Sequence, residues 1–64
     1  MTDNQRKLIE SKIDALSMEI QESRYNEKVA RNLNFIQSAE YIAGRTMLLV
    51  EIKVWLRDLL EEGE

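Results

Sequence analysis

The sequence predicts an all-α fold in which two helices form an antiparallel hairpin and hairpins assemble into a helical bundle. Three observations carry this prediction. Proline is absent and the only glycines stand at 44 and 63, so strong helix breakers are missing. Apolar residues recur at helical spacing in both halves of the chain. Residues 47–60, MLLVEIKVWLRDLL, are apolar on more sides than one neighbour can cover. An alternative with equal helical content is one continuous helix on the order of 90 Å long, stable inside a multi-stranded coiled coil.

The first helix has a clear start. Thr2 can cap it, and Gln5 three residues later completes a capping-box pattern. Ile9, Ile13, Leu16 and Ile20 then recur at spacings of four, three and four, a narrow seam of coiled-coil type. The next positions in that register are Ser23 or Arg24, Glu27, and Ala30 or Arg31. These mostly polar turns read as the end of the buried stripe, so the chain is expected to turn within 23–34. Asn26, Asn32 and Asn34 suit a turn, and Asn34 with Gln37 reads as the capping pair of a second helix. In the continuous-helix alternative, Met18, Glu22, Tyr25, Val29, Leu33 and Ile36 run on as one heptad line with a stutter.

The second helix carries two apolar surfaces. Leu48, Leu49, Ile52, Trp55, Leu56, Leu59 and Leu60 cover a face roughly 140° wide at 100° per residue. Ala43, Met47, Val50 and Val54 form a separate, narrower stripe. Helix 1 offers one seam and can cover one of these, which leaves the other for another chain. The expected interface is therefore Ala43, Met47, Leu48, Val50, Ile52, Val54, Trp55, Leu56 and Leu59. Trp55 reads equally as an interface anchor and as a core side chain. Phe35 is expected in the core; Tyr25 and Tyr41 read as half-buried packing, with phenolic hydrogen bonds at an interface as the alternative. Gly44 reads either as a tight crossing, a kink or a place where a partner's side chain packs, or as a tolerated defect. At the end of the helix, Gly63 reads as a stop signal, and Glu61 and Glu62 oppose the helix dipole and favour fraying.

Sixty-four residues make a single helical domain, 1–64, too small to bury a large core alone. Small domains rely on disulfides, metals or oligomerisation, and with no cysteine or histidine the third route is the one expected. The lack of cysteine fits a reducing, cytoplasmic setting. No cofactor is expected: no glycine-rich phosphate loop is present, and the carboxylate pairs Glu19/Glu22 and Glu61/Glu62 lack the ligand pattern of a calcium loop. Without histidine, cysteine or a cleft-building scaffold, an enzyme is not expected either.

Charge separates by halves. Residues 1–31 hold six basic and six acidic side chains, whereas residues 32–64 hold three basic against six acidic, giving the net charge of −3. No basic run marks a phosphate-tracking surface, which disfavours nucleic acid as a partner. A nucleic-acid-binding bundle would have to gather Arg6, Lys7, Arg24, Lys28 and Arg31 onto one surface. Glu51 and Lys53 interrupt the apolar stretch, which is shorter than the ~20 residues that span a bilayer, and MTDNQRKLIE lacks the apolar core of a signal peptide. No membrane association is expected. The leading functional expectation is a homo-oligomeric structural or adaptor protein. The alternative is a small helical inhibitor or regulator that presents its surplus apolar face to another protein.

Asn32-Leu33-Asn34-Phe35-Ile36, followed by Ala39, Gly44 and Val54-Trp55-Leu56, resembles small bacteriophage-encoded helical, coiled-coil-like proteins across residues 8–60. These combine a charged N-terminal helix, an asparagine junction and a C-terminal helix rich in leucine and tryptophan. The glycine of this chain stands at 44 instead of directly after the junction. The resemblance implies a virion-assembly, accessory or host-interaction role in a host cytoplasm or virion, and it supplies no catalytic residue.

Overall fold

A computed structural model describes residues 1–63 and has two helices, α1 (Asp3–Asn32) and α2 (Ile36–Glu62), folded into a hairpin. Its long axis is 47 Å, about the length of one such helix at 1.5 Å per residue. The chain does not run on as one helix.

α1 begins with the predicted capping box. Thr2 Oγ1 accepts the Gln5 backbone N–H at 3.1 Å, and the Gln5 side-chain oxygen accepts the Thr2 N–H at 3.0 Å. Asp3 in the first turn and Arg31 in the last complement the helix dipole. Arg31 also donates to Glu27 at 2.9 Å, one turn back.

The turn lies at the C-terminal edge of the expected window and has a defined chemistry. Asn34 adopts φ 66°, the left-handed conformation that asparagine tolerates better than most residues. Its N–H donates to the Arg31 carbonyl at 3.0 Å, and the Phe35 N–H donates to the Ala30 carbonyl at 2.8 Å. Together these bonds are a Schellman motif that satisfies the last carbonyls of α1. Asn34 therefore terminates α1 and does not cap α2. The expected Asn34–Gln37 pair is not formed; Phe35 occupies the N-cap of α2 without a side-chain hydrogen bond.

The expected end of the α1 stripe at Ile20 is also corrected. The seam continues without a break through Arg6, Ile9, Ile13, Leu16, Ile20, Ser23, Glu27 and Ala30, spacings alternating between three and four. Its counterpart on α2 runs through Ala39, Ile42, Thr46, Leu49, Lys53, Leu56 and Leu60 in the same alternation. Two such heptad lines pack as an antiparallel coiled coil. The two buried polar positions fit because their side chains are small and hydrogen-bonded. Ser23 and Thr46 are buried and their hydroxyls lie 2.6 Å apart. Thr46 Oγ1 donates to the Ile42 carbonyl at 2.8 Å, so its single proton is committed and the Ser23 hydroxyl is the donor between them.

The buried apolar residues among those described are Ile20, Ala30 and Ala39. Small side chains near the turn let the helices approach until water is excluded, and Ala39 is 0% exposed. Toward the open end the larger Ile9, Leu16, Leu56 and Leu60 are only half-buried.

Candidate interaction surface

α2 is in contact with α1 along one edge of the broad face, on the side toward the narrow stripe, so α1 covers neither surface in full. Leu49, Leu56 and Leu60 of the broad face join the seam, together with Thr46 and Lys53, which the apolar pattern had passed over. The rest of the apolar surface is left on two flanks.

On one flank Tyr41, Leu48, Ile52 and Trp55 are exposed, at 75%, 61%, 46% and 62%, and Leu59 is half-buried. With Arg45 these residues occupy positions 41, 45, 48, 52, 55 and 59, a heptad line of their own. Arg45 is exposed and shares a polar recess with Glu19, Glu22, Ser23 and Asn26 of α1.

The opposite flank holds Ala43, Met47, Val50 and Val54. Met47 and Val54 are exposed, Ala43 and Val50 half-buried. Ala43, Met47 and Val50, with Thr46 and Glu51, form one wall of a shallow groove of about 450 Å³ that Arg24 and Glu27 close on the α1 side. Of the nine residues expected at the interface, five are therefore exposed on the flanks, namely Met47, Leu48, Ile52, Val54 and Trp55, while Ala43, Val50, Leu56 and Leu59 are half-buried.

Further exposed apolar residues were not in that expected set. Phe35, expected in the core, is exposed at the turn beside Leu33 and Ile36. Tyr25 and Tyr41 are exposed instead of half-buried, and Leu8, Met18 and Tyr25 lie outside the seam on α1. The missed signal was the regularity of the heptad itself. Following the three-four alternation from Ile9 to Ala30, without rejecting Ser23 and Glu27 for polarity, would have assigned the seam and hence the outer faces.

Gly44 lies within α2 with ordinary helical backbone, and a Cβ built there meets nothing within 4 Å. It does not mark a crossing with α1. Among the described residues no three acidic, histidine or cysteine side chains gather as a metal site. No helix is long and apolar enough to cross a membrane.

The fold and surface define a helical hairpin with apolar flanks. No family model, curated protein or solved structure matches the chain.

Proposed function

We propose that this chain is a non-enzymatic, self-associating structural or adaptor component that completes its core by docking on another copy. One observation carries the reading. The helix richest in apolar residues uses its seam face on α1 and keeps large side chains on both flanks in water, Trp55 and Leu48 among them. Surface area supports it. The hairpin exposes 5185 Å², where a globular chain of its mass exposes about 4,200 Å². The difference, roughly 900 Å², is close to the ~800 Å² that each partner contributes to a standard interface. In the setting implied by the resemblance to phage-encoded helical proteins, the role is that of a virion-assembly or accessory component.

Multi-angle light scattering over a hundredfold range of concentration is the direct test. A dimer or larger assembly is the expected result. A chain that stays monomeric throughout, yet is captured stoichiometrically by one purified foreign protein, would favour the regulator reading instead.

A further inference from the structure

Resting on the self-association proposed above, we infer that the second copy docks antiparallel along the Tyr41–Leu59 line of α2, Arg45 of each copy lying over Trp55 of the other. Positions 41, 45, 48, 52, 55 and 59 keep the three-four alternation that lets a helix pack against its own equivalent. A two-fold axis beside residue 50 pairs Leu48 with Ile52 at the centre, then Arg45 with Trp55, then Tyr41 with Leu59. Every member of the line finds a complementary one. A parallel arrangement would oppose Arg45 to Arg45 inside the seam and is disfavoured by like charge.

Arg45 is suited to this place. Among the described residues it makes no ion pair within the hairpin, although Glu19 and Glu22 border the same recess. A guanidinium stacks on an indole face and is more weakly hydrated than an ammonium, so it tolerates the partial desolvation that docking imposes. Leu8 extends the apolar surface at the open end of the hairpin. It stands 18 residues before Asn26, which lines the Arg45 recess, and 18 residues are five turns. Leu8 is thus on the same side. The Met47–Val54 flank has less exposed apolar surface, and three charged side chains, Arg24, Glu27 and Glu51, line its groove, so covering it would strip water from all three.

Trp55 is the sole tryptophan, and its emission reports this face directly. In the concentrated wild-type protein the emission should be blue-shifted and shielded from iodide, then move to the red and become quenchable on dilution, in step with the fall in mass. Trp55→Glu should abolish the dimer. Arg45→Gln should weaken it about fivefold. Met47→Glu, on the opposite flank, should leave the dissociation constant within about twofold of wild type. A wild-type dimer whose Trp55 stays fully quenchable, or one that Met47→Glu dissociates while Arg45→Gln does not, overturns this face and leaves self-association standing. A wild-type chain that is monomeric at every concentration overturns both.

Discussion

Ser23 and Thr46 show how two residues that look unsuited to a core come to occupy its centre. Each is a small hydroxyl on a heptad line, and neither exposes apolar surface in exchange for the water it loses. Burial becomes tolerable because the hydroxyls form a chain, Ser23 to Thr46 to the Ile42 carbonyl, that leaves no proton without an acceptor. The chain is asymmetric, and this gives an ordered prediction. Ser23→Ala removes one bond while Thr46 keeps its own acceptor, for a cost of about 0.5–1.5 kcal/mol; Thr46→Val strands the buried Ser23 hydroxyl and costs about 1–3 kcal/mol. The double variant replaces a polar pair with an apolar one and should recover part of the sum, giving a coupling energy measurable as a double-mutant cycle in urea. Additive losses would mean that the two hydroxyls act independently. The pair also sets register: sliding one helix by a single heptad would face each hydroxyl with a different seam residue.

At the scale of the helices, the two elements are stabilised differently. α1 has a capping box, an acidic first turn, a basic last turn and a Schellman ending. α2 has no side-chain cap, no acidic residue in its first turn and no basic residue in its last, and Gly63 ends it in right-handed geometry. Packing must therefore supply what the ends of α2 lack. Gly44, in its interior, adds a further cost. Because a Cβ there meets no atom of the hairpin, Gly44→Ala should stabilise the protein by about 1 kcal/mol and raise its thermal midpoint by roughly 4–8 °C. A lowered midpoint would show that another chain rests its backbone against this position. This contrast between helices also marks what was legible in the sequence. The Thr2–Gln5 cap and the Ile9–Ile20 seam follow local rules and were readable. Asn34 was readable as a turn residue, but its backbone conformation decided that it would close α1 instead of opening α2. The continuation through Ser23, Glu27 and Ala30 was hidden because its partners, Thr46, Ile42 and Ala39, lie far along the chain, and polarity alone does not reveal a hydroxyl that will be satisfied across a helix pair.

On the scale of the whole molecule, stability and assembly become the same question. Among the described residues the hairpin buries one large aliphatic side chain, Ile20, and two alanines, while Leu16, Leu49, Leu56 and Leu60 keep part of their surface in water. Domains of this size are marginal even with a well-filled core, and the ordering of more than fifty helical residues opposes folding at about 1–2 kcal/mol each for the backbone alone. A second copy laid along α2 would cover the exposed flank and would also shield the half-buried seam leucines beneath it. Folding would then be linked to association, and the unfolding midpoint would depend on protein concentration. For a folded dimer in equilibrium with unfolded chains, each tenfold rise in concentration adds about 1.4 kcal/mol per dimer at 25 °C, by the relation between free energy and equilibrium constant. The expected outcome is a urea midpoint, followed by circular dichroism, that climbs steadily from micromolar to near-millimolar protein, with Trp55→Glu losing that dependence together with much of its helix. A midpoint independent of concentration, with helix content intact in the most dilute sample, would mean that the single hairpin is stable by itself, and the exposed flanks would then no longer be needed to account for folding.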